Sequence, residues 1–143
     1  MLQAQYKDLL QHPDIRFDVP ENGAYIEVKD AATHDTLAWV KSHDRASVEQ
    51  VIARSQKAQT AWKAQTALQR ADVLWAWFDL MQENKESLAQ ILTAEQGKPL
   101  AEARGEIGYA ASFIRWFAEQ ARRIDGEVLT PTLPNQRLLV IKQ

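Results

Sequence analysis

The side chains that could act on a substrate are sparse, and most lie in one stretch, "TAEQGKPLAEARGEIGYAASFIRWFAEQARRIDGE", residues 93–127. Glu95, Glu102 and Glu106 stand at helical spacing, and paired carboxylates are a common means of general acid–base catalysis. Arg104 lies among them, so the same residues also read as a solvated face with its own ion-pair partner. His12, His34 and His43 fall in loops or at strand edges, with no two at the spacing of metal ligands. The chain has no cysteine, which excludes a thiolate nucleophile, a disulfide and a zinc–thiolate site within it. No serine or threonine sits in a nucleophile-elbow motif. The glycines of "GEIGYA" have the wrong spacing for a phosphate cradle and fall inside a helical pattern.

What the stretch does contain is shape. Ala101, Gly105, Gly108 and Ser112 form a narrow strip of small side chains along one helix face. Each interior glycine costs about 1 kcal/mol relative to alanine, so the strip predicts that another helix or a bound molecule approaches the backbone closely. A neighbouring face, Ile107, Ala110, Ala111, Ile114, Phe117, Ala118 and Ala121, reads as core. A third line, Tyr109, Phe113 and Trp116, fits either packing against a neighbouring element or the wall of an apolar tunnel for a small substrate.

The elements that must position these residues follow from period and caps. Leu2, Tyr6, Leu9 and Leu10 suggest a short amphipathic helix within 1–11, stopped before Pro13. Between residues 24 and 40 the period becomes two, with polar "DAATHD" at the centre, which predicts a β-hairpin. Ser47 with Gln50 and Thr66 with Gln69 are capping-box patterns. The first opens a helix through Trp62; the second opens a longer one whose apolar face runs from Leu68 to Leu92. Val73, Trp77 and Leu80 widen that face, which predicts cover on more than one side. Gly97 suits a left-handed helix end and Pro99 the first turn of the next helix, a third long helix over about 98–124. "RLLVIKQ" has strand character, with no evident sheet to join.

A length of 143 residues can bury a sizeable core in one ordinary domain. The composition, 45% hydrophobic and 25% charged, is that of a soluble globular protein. A net charge of -2 argues against nucleic acid or an anionic membrane as partner. No apolar run approaches a membrane span, and "MLQAQYKDLLQHPD" lacks a signal-peptide core. The expectation is a cytoplasmic protein.

The run "EQGKPLAEARGEIGYAASFIRWFAEQARRIDGE" closely resembles the aldehyde dehydrogenase superfamily, and within it the succinate-semialdehyde dehydrogenase group. "AWKAQTALQRADVLWAWFDLM" and "RLLVIKQ" are similar to family pieces in the same order, so that the resemblance spans residues 24–143. It implies an α/β parent with a Rossmann-type coenzyme domain, of which this chain looks like a mostly helical N-terminal part with a β-hairpin and a final strand. It also implies an NAD- or NADP-dependent oxidation of an aldehyde to the acid through a cysteine thiohemiacetal. The cysteine, the general-base glutamate and the coenzyme loop are then expected beyond Gln143, leaving this chain inactive alone.

Carried over by position, the resemblance makes Tyr109, Phe113 and Trp116 the border of the aldehyde tunnel. Glu95 and the main-chain carbonyl of Val28 become ligands of a structural monovalent cation, and the last strand part of an oligomerisation sheet. The implied organisation is an arm over residues 1–23, a hairpin with three helices of the coenzyme domain over 24–130, and a linker and strand over 131–143. The implied partners are an aldehyde and further copies of the parent in a dimer or tetramer. Three pieces depart from the family pattern: Asp30-Ala31 replaces its Asn-Pro turn, "THDT" its Thr-Gly-Glu, and "PENGAYIEV" is the nearest piece to its Asn-Gly-Glu-Trp-like strand entry. A reading from another class is a free-standing, non-catalytic helical module that uses the small-residue strip as a helix–helix interface.

Overall fold

A computed structural model describes residues 4–142 of the chain. Met1 to Gln3, at the start of the expected N-terminal helix, lie outside the described residues, as does Gln143. The helix itself, α1, covers Ala4–Leu9. A short strand that the sequence pattern does not announce, β1 (Ile15–Arg16), follows it. The expected hairpin is present as β2 (Tyr25–Lys29) and β3 (Thr36–Lys41). β3 lies in the centre of an antiparallel sheet ordered β1–β3–β2, with Ile15 opposite Val40 and Ile26 opposite the same residue on the other side.

The turn of this hairpin is built by Asp30. Its Oδ1 accepts hydrogen bonds from the amides of Ala32 (2.8 Å) and Thr33 (3.0 Å), a geometry that a short acidic side chain makes locally. These donors hold the Asp30 carboxyl below its ordinary range, Thr33 first and Ala32 next. His34 completes the turn with φ +64°, a conformation an L-residue adopts only under constraint.

Helices make up the body. α2 spans Arg45–Ala64, and its N-cap is Asp44, not the expected Ser47: the Asp44 carboxylate accepts from the Ser47 amide at 2.8 Å. The box at Thr66 and Gln69 is reciprocal as expected, with the Gln69 amide donating to Thr66 Oγ1 and the Thr66 amide donating to Gln69 Oε1. The helix that it opens is shorter than the pattern predicts. α3 (Ala67–Glu83) ends at Asn84, and α4 (Lys85–Gln96) starts anew. The cause is local: Asn84 Nδ2 donates to the Leu80 carbonyl at 2.8 Å, so a side chain competes with the backbone for a helical acceptor. Four long helices therefore stand where three were expected.

Gly97 closes α4 with φ +76° and donates its amide to the Thr93 carbonyl at 2.8 Å. Pro99 is then the N-cap of α5 (Leu100–Ala121) rather than part of its first turn. α5 packs across α3 and α4, and the hairpin abuts the end of α4. The buried side chains of this layer are Ala71, Ala89, Ala103, Ala111 and Ala118, and no large side chain is fully buried. On α5 the buried alanines recur about every two turns, so they share one stripe. Alanine there lets helix backbones approach closely.

The last strand does have a partner. β4 (Glu127–Leu129) and β5 (Leu138–Val140) form an antiparallel ribbon, with Val128 opposite Leu139. A Cβ at Gly126 would collide with the Val140 carbonyl, so a glycine opens the ribbon. Among the described residues no helix is long and apolar enough to cross a membrane.

Candidate functional site

The faces of α5 divide differently from the sequence reading. Ala111 and Ala118 are buried as expected, but Phe117 is 59% exposed. The small-residue strip is open: no atom lies within 4 Å of a Cβ built at Gly105, and the nearest approach at Gly108 is the flexible Lys85 Nζ at 3.2 Å. Among the described residues nothing makes the close backbone approach that the glycines predicted.

Tyr109, Phe113 and Trp116 form a continuous outward ridge, 66%, 47% and 57% exposed. Tyr109 and Phe113 are one helical turn apart and meet edge to face, centroids 4.8 Å apart and planes at 81°, the favoured aromatic geometry. Ser112 Oγ donates to the Tyr109 carbonyl at 2.6 Å. Beside the ridge, Ser112, Arg115, Trp116 and Glu119 line a shallow depression, with Arg115 Nε 3.0 Å from Glu119. The arrangement presents ordered aromatic surface and no nucleophile, base or electrophile directed at it. It can shape and desolvate a substrate.

The second group of predicted residues lies at the joint between hairpin and helix. The Ala31 amide donates to the Ala94 carbonyl at 2.9 Å, which fastens the turn to the end of α4. This brings β2, with half-buried Val28, against the helix that carries exposed Glu95. Thr93 Oγ1, on the same helix end, is buried with no hydrogen-bond partner among the described residues. A carboxylate and a main-chain carbonyl are hard oxygen donors of the kind that a simple cation accepts. They are too few to hold a metal alone, and the described residues contain no group of three or more His, Cys, Asp or Glu side chains suited to one.

Two further acids, Glu86 and Glu106, are held in ion pairs. Arg104 does not pair with its neighbours on α5; it reaches α4, where Nε and Nη2 grip the two Glu86 oxygens at 2.7 and 2.8 Å. Arg104, helped by Gln90, pushes the Glu86 carboxyl down to about 2. Lys98 pairs with Glu106. Of the glutamates of the opening stretch, Glu106 is thus held by Lys98, while Glu95 and Glu102 are exposed. Gly105 and Gly108 form no phosphate cradle, since they lie mid-helix, where the amides serve the α-helical ladder.

One constellation is not visible in the sequence. The Asp14 carboxylate gathers His43 Nε2 (3.4 Å) and Lys41 Nζ (3.9 Å), and its backbone amide donates to His12 Nδ1 at 3.2 Å. It follows from the sheet register, in which the Lys41 amide donates to the Asp14 carbonyl at 2.8 Å. His12 and Asp14 are close in sequence, but no local spacing points to His43. The group clips the N-terminal segment to the entry of α2.

The described residues form a helical layer with two small antiparallel sheets, and an exposed aromatic ridge runs along α5. The chain belongs to the aldehyde dehydrogenase family, whose model matches residues 19–143. It is 49% identical over 123 residues to a glutarate-semialdehyde dehydrogenase of Pseudomonas putida, covering 86% of this chain and 26% of that protein. It is 47% identical over 122 residues to the NADP-dependent succinate-semialdehyde dehydrogenase of Escherichia coli, covering 85% and 25%. The crystal structure of a Burkholderia pseudomallei succinate-semialdehyde dehydrogenase superposes with a TM-score of 0.80 at 48% identity, over 84% of this chain and 25% of that one. The chain thus spans about a quarter of the length of the curated relatives it matches. Its fold is the one expected, a mostly helical portion of the aldehyde dehydrogenase architecture.

Proposed function

We propose that this chain is the N-terminal part of an NAD(P)-dependent aldehyde dehydrogenase that oxidises succinate semialdehyde, or a close semialdehyde, to the carboxylic acid. The observation that carries this reading is the 47–49% identity to two semialdehyde dehydrogenases over 85–86% of the chain. The coenzyme class is taken from the NADP-dependent relative. With no cysteine in the chain, the thiolate that such an oxidation uses as nucleophile is supplied by residues outside 1–143, and the chain alone is inactive.

Within this reading, residues 24–130 belong to the coenzyme-binding domain, residues 1–23 form its N-terminal arm, and residues 131–143 lead into an oligomerisation sheet. Tyr109, Phe113 and Trp116 border the aldehyde tunnel: their exposure, and the edge-to-face contact of Tyr109 with Phe113, suit a wall that excludes water from an apolar chain. Glu95 and the Val28 carbonyl supply two oxygens to a monovalent cation whose other ligands come from elsewhere. The parent is a cytoplasmic homo-oligomer.

The test is a spectrophotometric assay of NAD+ and NADP+ reduction by the whole protein with succinate semialdehyde, glutarate semialdehyde and an uncharged aldehyde of similar length. The reading expects turnover with the semialdehydes on the order of tenfold or more above the uncharged aldehyde, and none from residues 1–143 alone. Turnover by the purified 143-residue chain, or no aldehyde oxidation by the whole protein, would overturn it.

A further inference from the structure

The chain has three asparagines, Asn22, Asn84 and Asn135, and their surroundings differ in a way that bears on covalent chemistry. Asn22 precedes Gly23 in an exposed bend ahead of β2. Gly23 has φ +98°, no Cβ to obstruct its amide, and no hydrogen bond from that amide among the described residues. The Asn22 side chain is exposed and makes no hydrogen bond among the described residues. Asn22 and Gly23 both lie exposed to water.

The other two asparagines are held back. Asn84 is half-buried between two helices, its backbone is near-helical (φ -100°, ψ 13°), and its Nδ2 is bound to the Leu80 carbonyl. Asn135 precedes Gln136, whose amide already donates to the Leu133 carbonyl at 3.2 Å.

We infer that Asn22-Gly23 is a site of spontaneous deamidation that converts the bend ahead of β2 into an aspartyl and isoaspartyl mixture. The Gly23 nitrogen loses its proton and bonds to Asn22 Cγ, and the Cγ–Nδ2 bond breaks. Ammonia leaves with that proton, giving a five-membered succinimide. Water then opens the ring at either carbonyl, to aspartate or to isoaspartate, with no oxidant or reductant involved. Isoaspartate inserts a methylene into the main chain at residue 22, two residues before Ala24, whose carbonyl accepts from the Ser42 amide at 2.8 Å. It also adds a negative charge beside Glu21.

The test is to hold the purified protein under mildly alkaline conditions and map its peptides by mass over time. Methyl transfer from a protein-isoaspartate methyltransferase serves as a second readout. Asn22 is expected to gain the amide-to-acid mass difference on the order of tenfold faster than Asn84 or Asn135, a barrier difference of about 1.4 kcal/mol. Asn22→Gln is expected to abolish the new species, and aged protein to lose hydrogen-exchange protection at Ser42. Asp125-Gly126 could also yield isoaspartate, but without a mass change, so the map distinguishes it. The inference is overturned if Asn22 keeps its amide while a denatured sample loses it, or if all three asparagines convert at the same rate.

Discussion

α2 and α5 are helices of similar length, 20 and 22 residues, yet they stand in opposite relation to the rest of the molecule. α5 buries Ala103, Ala111 and Ala118 against α3 and α4, each no more than 1% exposed. α2 buries none of its residues, although it has the better N-cap and an apolar stripe of Val48, Val51, Ile52 and Trp62. Capping and periodicity make both helical, whereas only tertiary packing makes one of them part of a core. The outward faces of α3 and α5 resemble α2 in this respect, with Val73, Trp77, Leu80 and the Tyr109 ridge all exposed.

The contrast breaks most visibly at the alanine stripe. Ala111→Leu should destabilise the fold by about 1–3 kcal/mol, because added methylenes in a close helix–helix contact force backbone shifts. Val51→Ala in α2 should stay within about 0.5 kcal/mol. Equilibrium denaturation of both variants decides it: equal effects would mean that the α5 seam is no tighter than the α2 surface.

Cap removal sharpens the comparison. Thr66→Ala should lower global stability by about 1 kcal/mol, since α3 belongs to the packed layer. Asp44→Ala removes a similar cap from α2 and should appear only as fraying, with faster amide exchange at Ser47 and Val48 and an unchanged global transition. A global shift from Asp44→Ala would show α2 to be integral to the core.

The smallest expected effect is electrostatic. Glu86 titrates lower in the folded chain than in the unfolded one, so its contribution is fully present above its ordinary value of 4.5 and is lost as pH falls through about 2. Arg104→Ala should remove that part of the acid dependence and leave stability near neutrality little changed, because the pair is exposed. NMR titration of the Glu86 carboxyl in both proteins measures it.

Local signals carried well from sequence to structure. The Thr66–Gln69 box, the left-handed Gly97 and the alternation of β2 and β3 each involve residues within one turn or one hairpin. The errors arise where distant groups decide. Leu88 and Leu92 continue the apolar period of α3 past Asn84, so a break made by one side-chain hydrogen bond leaves the pattern intact. β4 is too short for alternation to register, and the ribbon exists because Leu138 to Val140 return to it. Arg104 has acidic neighbours on its own helix, yet tertiary packing offers it the bidentate Glu86. The Asp14 cluster needs the sheet register before His43 comes near. The aromatic ridge was readable as a line of residues, but its exposure follows only from how α5 lies on α3 and α4.

The role of that ridge is the central claim, and Tyr109→Ala in the whole enzyme tests it most directly. Steady-state kinetics should show kcat/KM for the semialdehyde falling roughly tenfold, about 1.4 kcal/mol of transition-state stabilisation, while the KM for NAD(P)+ is unchanged. If both aldehyde parameters stay at the parent values, or if only the coenzyme KM moves, the ridge does not border the aldehyde's path.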